Sequence, residues 1–194
     1  MSASFRLISL LTGVMLTLAA CSSSRSGGGI GSALDDRRNA GPCPTVGALY
    51  DSSRVVKFVG ETERYPEITY TGEISDVRLF CRYVGDEPIL AEVEVDFAFG
   101  KGPQGTERYH DYAYNITVMR RNSRVLNQEQ FTVRADFRDK DVTAVRDLVG
   151  RIMIPRIDDT ISGANFEVLV SFDLTEKQLQ FNRDGKRFRL DAGN

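Results

Sequence analysis

Ile89-Leu90-Ala91-Glu92-Val93-Glu94-Val95-Asp96-Phe97-Ala98-Phe99 alternates apolar and acidic side chains almost without a break. In an extended chain successive side chains point to opposite faces. Ile89, Ala91, Val93, Val95, Phe97 and Phe99 therefore share one face, and Glu92, Glu94 and Asp96 share the other. One face to bury and one to wet describes a half-buried antiparallel strand. The same period runs outward in both directions. Val77, Leu79, Cys81 and Tyr83 alternate with Arg78 and Arg82 facing out, and Tyr112, Tyr114, Ile116 and Val118 form a further run that stops at the turn-forming Arg120-Arg121-Asn122-Ser123.

Val55–Val59, Ile68–Ile74, Val125–Phe137, Val142–Ile154 and Phe166–Leu174 complete the set. Seven or eight short-linked strands predict an all-β fold, an antiparallel β-sandwich of immunoglobulin or fibronectin kind, with a small closed β-barrel as the alternative. The chain has no tryptophan, whereas a true immunoglobulin core stacks one on its disulfide. Outward positions carry Glu, Asp and Arg, which does not match the apolar band of a membrane-spanning barrel. One short C-terminal helix is expected, with Thr175 as its cap, Glu176 in the first turn, Leu179 and Phe181 inward, and Asp184-Gly185 as the stop. No internal repeat is present.

The 194 residues are 41% hydrophobic and 27% charged, with 25 basic against 27 acidic side chains. That balance suits one globular domain with a real core. It gives no support for nucleic-acid binding or for polybasic attraction to a lipid surface.

The first residues carry a separate message. Arg6 precedes an apolar run of fourteen residues, Leu7 to Ala20, closed by Leu18-Ala19-Ala20-Cys21. Charge, apolar core and small residues in that order mark a secretory signal, and the run falls short of the about twenty residues that a span needs. Leu18-Ala19-Ala20-Cys21 resembles the lipobox of bacterial lipoproteins. The resemblance implies cleavage of residues 1–20, diacylglycerol on the Cys21 thiol with acyl chains of the palmitate kind, and a membrane anchor facing the periplasm. Each buried methylene adds about 0.8 kcal/mol, so two or three chains hold firmly where one would not. Ser22 favours the outer over the inner membrane, by analogy with sorting in enteric bacteria. Residues 21–42, with Ser22-Ser23-Ser24 and Gly27-Gly28-Gly29, are expected to be a lipidated flexible tether with a reach of about 25 Å, leaving 43–190 as a single sandwich domain.

With Cys21 acylated, Cys43 and Cys81 remain as an even pair in an oxidising compartment, and a disulfide between them is expected. Its loop-closure entropy is worth about 4 kcal/mol. A redox or metal-binding pair would call for C-x-x-C spacing or more than the single histidine present. On Cys21, Cys43, Cys81 and the Phe99-Gly100-Lys101-Gly102-Pro103 hairpin, the mature chain resembles small lipoproteins of proteobacterial envelopes. That group brings no catalytic residues with it.

Four constellations invite chemistry. Gly100, Gly102 and Gly105 spell G-x-G-x-x-G after a strand, but a strand rather than a helix follows, so a hairpin loop using the positive φ open to glycine is expected instead of a dinucleotide site. His110 stands at a strand start, expected to be solvent-exposed, and its neighbour Asp111 points to the opposite face. Asp136, Asp139 and Asp141 cluster near one turn and Asp158-Asp159 in another loop, as solvated turn residues. Arg183, Lys186, Arg187 and Arg189 read as a charged final edge strand.

No catalytic, cofactor-binding or metal-binding residue is assigned. The expected role is that of a non-catalytic interaction or structural module of the cell envelope. Its partners would be the lipid bilayer through acylated Cys21, and envelope proteins or cell-wall glycan. The alternatives are an envelope hydrolase using carboxylates of Asp136–Asp141 and Asp158–Asp159, and a periplasmic chaperone-like binder.

Overall fold

The alternation centred on Val93 and Val95 is the spine of the structure. A computed structural model describes residues 41–121 and 124–188; the signal segment and Cys21 lie outside the described residues. Eight strands and one helix are ordered β1 (Thr45–Ala48), β2 (Arg54–Phe58), β3 (Ile68–Arg82), β4 (Ile89–Lys101), β5 (Tyr109–Arg120), β6 (Arg124–Asp136), β7 (Val142–Ile154), β8 (Phe166–Phe172) and α1 (Glu176–Arg183). One sheet runs β1-β8-β5-β6 and the other β2-β3-β4-β7. Among the described residues each keeps two unpaired edges, so the architecture is an open β-sandwich and not a closed barrel. Every pairing is antiparallel except that of β1 with β8.

β4 buries Ile89, Ala91, Val93, Val95, Phe97 and Phe99, and β5 meets it with Tyr112, Tyr114, Ile116 and Val118. Full burial of side chains this large contributes roughly 1.5–3 kcal/mol each. Phe99 stacks on Tyr112 with ring centroids 4.2 Å apart, and Phe97 meets Tyr114 edge-on at 5.0 Å. Neither buried phenol is left unpaired: Tyr112 Oη donates to the Thr71 carbonyl at 2.9 Å and Tyr114 Oη to Asp147 at 2.8 Å.

The two runs around residues 68–74 and 77–83 are one strand. Inward positions are even up to Ile74 and odd from Val77, and the pairing with β4 skips from Ile74–Phe97 to Asp76–Asp96. Ser75 is the extra residue of a β-bulge that joins the two phases. A second bulge, where Lys57 pairs with Tyr70 but Phe58 with Ile68, turns Ile68 to the outer face. There it forms a small second core with Val56 and Phe181 of α1, flanked by Phe58 and Phe188.

The helix starts as expected, with a reciprocal cap. The Gln178 N–H donates to Thr175 Oγ1 and the Thr175 N–H to Gln178 Oε1. The basic end corrects the expected final strand. Arg183 is helical, Gly185 takes φ 72° to end the helix, and residues 186–188 carry no strand pairing. Phe188 instead stacks against Phe181 at 5.9 Å, because the apolar pocket on the outer face outbids an edge position. Lys186 reaches Glu63 at 2.7 Å; Arg189 lies outside the described residues. Among the described residues no helix is long and apolar enough to cross a membrane.

Candidate functional site

The connections gather at two ends. Residues 41–44, the β3–β4 hairpin, the β5–β6 turn and the β7–β8 segment share one, since Thr45 pairs with Glu167, Arg120 with Phe166 and Ile89 with Ile154. The β4–β5 and β6–β7 loops share the other.

At the first end the chain is fastened as it joins the domain. Cys43 and Cys81 form a disulfide with Cα atoms 5.7 Å apart. Beside it Tyr83 Oη donates to the Pro42 carbonyl and accepts the Gly163 N–H, each at 2.7 Å. A Cβ at Gly163 would stand 2.4 Å from the Pro42 oxygen and 2.5 Å from the Tyr83 hydroxyl. Only glycine lets the three segments meet.

The acidic clusters do not converge. Asp136 is ion-paired to Arg138, which holds its carboxyl below the usual range. Asp141 pairs with Lys101 at 3.0 Å, and Asp139 is exposed. Asp158 accepts from Thr160, whose hydroxyl and N–H lower its pKa. The thirteen residues of β7 separate the two groups, about 40 Å at roughly 3.3 Å per residue. Each cluster closes its own turn. Among the described residues no three His, Cys, Asp or Glu side chains come together as metal ligands would.

The glycine loop is a point of close packing. A Cβ on Gly102 would lie 2.4 Å from the Ile68 carbonyl oxygen, and one on Gly105 2.6 Å from that of Thr69. The Gly102 N–H donates to the Thr69 carbonyl at 2.8 Å and the Gln104 N–H to that of Ile68 at 2.9 Å. Neither glycine has a positive φ, which is confined to Gly85 and Gly185 among the described glycines. Room for backbone against backbone, and not left-handed geometry, is what these positions require.

His110 is the largest departure from expectation. Its side chain is only 17% exposed. The ring stacks on Tyr70, centroids 3.9 Å apart and 9° from parallel, and meets Tyr112 edge-on. Lys57 Nζ stands 2.9 Å from His110 Nε2 and 5.4 Å above the Tyr112 ring; Glu107 is 3.8 Å from Nδ1. Burial depresses both pKa values, and for His110 the Lys57 charge depresses it further. A neutral imidazole accepting from the ammonium is the arrangement these directions favour. Asp111 points away, as expected, and takes a bidentate pair from Arg134 at 2.7 and 2.9 Å. The sequence did hold a signal for Lys57: it occupies the inward phase of β2, in step with Val55.

The open surfaces lie elsewhere. All seven residues Arg124–Gln130 of edge strand β6 are exposed. On the outer face of the second sheet, Asp76, Arg78, Glu94, Asp96 and Arg146 form a charged ladder. The Arg146 hydrogen bond, supported by Arg78, holds Asp96 down at about 2. Exposed Phe80, Leu148 and Met153 flank that ladder. A scan against known family models, a search of curated proteins and a search of solved structures each match nothing.

Proposed function

We propose that this chain is a lipid-anchored, periplasm-facing protein of the cell envelope, held by acylated Cys21 and acting as a non-catalytic module that engages a protein partner. The observation that carries the reading is the first half of β6. From Arg124 to Gln130 the strand is bonded to β5 on one side and solvated on the other, with neither face covered. Such an edge offers a row of backbone N–H and C=O groups to an added strand. Asn127 and Glu129, opposite the inward residues Val118 and Ile116 of β5, bring polar atoms to the side where indiscriminate pairing would bury them. A partner strand has to satisfy them, which selects among partners. The tight fastening of residues 42–43 supports the anchored reading, because it presents the domain as one rigid unit to whatever the preceding residues attach to.

The test has two arms. Cys21→Ala should release the chain from membranes or leave it uncleaved; unchanged processing and fractionation would sink the anchor. A photocrosslinking residue at Gln128 in the native envelope should capture a protein that the same group at Lys177 on α1 does not. Capture of cell-wall glycan alone would move the reading to a wall-binding role.

A further inference from the structure

We infer that the end of the sandwich where the chain is fastened is a contact surface for phospholipid. The occupant is the bilayer that holds the anchor; the inference thus rests on the anchored reading above.

Three observations converge on that end. First, the described chain enters the domain there: Pro42 is clasped by Tyr83 and Cys43 is bonded to Cys81. Nineteen residues lie between Cys21 and Gly41, and a coil of that length spans only about 25 Å. An anchored domain is therefore kept with this end toward the headgroups. Second, Ile157 is 89% exposed, more than any other large apolar side chain described. It stands beside a groove of about 260 Å³ formed with Leu126, Pro155, Ile161 and Phe166. A lone exposed isoleucine is ordinary, but one at the rim of an apolar groove and aimed where the bilayer lies has a place to be buried. Third, exposed Arg120 lines the same groove, and exposed Arg124 is paired directly with it across the β5–β6 hairpin. Guanidinium forks match the phosphate oxygens of a headgroup.

Asp86, Glu87, Asp158 and Asp159 sit at this end as well, so its overall charge is near balance. Insertion of Ile157 at the headgroup boundary, with arginine–phosphate pairing, is the contact; bulk attraction to anionic lipid is not. Tethering raises the local concentration of surface to the millimolar range, so a contact too weak to recruit a free domain still orients a held one.

The chain contains no tryptophan, so one introduced residue is a unique reporter. Residues 36–194 form one compact unit that contains both sheets, the disulfide and the described core. With an N-terminal His-tag this unit is held on phosphatidylethanolamine–phosphatidylglycerol vesicles through a nickel-chelating lipid, which replaces Cys21 and makes the result independent of acylation. Ile157→Trp should shift its emission to the blue and be quenched by brominated acyl chains. Lys140→Trp, at the opposite end, should show neither. Adding Ile157→Ser to a Thr160→Trp reporter should abolish that reporter's quenching while its thermal melt stays unchanged. Quenching that is absent at both ends, or equal at both, overturns the inference. Failure of Cys21→Ala to release the chain in cells would overturn the anchor alone.

Discussion

A charged lysine and the only histidine meet inside the mouth of a sandwich, and the arrangement has a consequence for pH. His110 has a folded pKa below its unfolded value near 6.5, through burial first and the Lys57 charge second, with Glu107 and Asp111 opposing. Below that value the unfolded chain takes up the proton more readily than the folded one. Stability is therefore full above about 6.5 and is lost as pH falls through the folded value. Lys57, lowered from 10.5, has the same sign on the alkaline side. Thermal melts taken from about pH 8 to about pH 5 should show a falling midpoint. His110→Phe, which keeps the stack on Tyr70, should flatten that fall. An unchanged slope would show that the imidazole stays solvated. Histidine at a strand start reads as exposed until Lys57, fifty-three residues earlier, is known to face it. Pairings across sheets are the part of a site that local pattern does not carry.

At the level of elements, legibility followed pattern length. β4 is long and keeps phase, and it stands where its alternation puts it; β7 is equally long, but its inward set changes from odd (Thr143 to Val149) to even (Ile152, Ile154) at a bulge over Gly150 and Arg151. The helix could be placed from Thr175, Phe181 and Gly185 because each acts locally. β3 was split because Ser75 changes the inward set from even to odd, which in sequence looks like two strands meeting. β1 has four residues, one a glycine, too few for any period, and it is recruited by parallel pairing with β8 across most of the chain. The cap of α1 can be tested by itself. Thr175→Ala removes the oxygen that accepts the Gln178 N–H and should cost about 1 kcal/mol, read as a lower urea midpoint at unchanged slope. A loss well under that would mean that Phe181 and the small outer core hold the helix without its cap.

For the molecule as a whole, the disulfide links the point where the chain joins the domain to the far end of β3, a sequence separation of 38. Loop-closure entropy makes it worth about 4 kcal/mol. Cys43→Ser with Cys81→Ser should lose about that much in denaturant titration, with Tyr83 still free to clasp Pro42. A much smaller loss would mean that the unfolded chain is already compact in this region.

The same bond decides how the domain bears a load. A pull arriving through the residues before Cys43 does not fall on β1, a four-residue edge strand that would peel away one hydrogen bond at a time. It crosses the sulfurs into β3, bonded to β4 from Tyr70 to Arg82 and to β2 from Ile68 to Glu73, and acts along that strand. Its hydrogen bonds then resist together in shear.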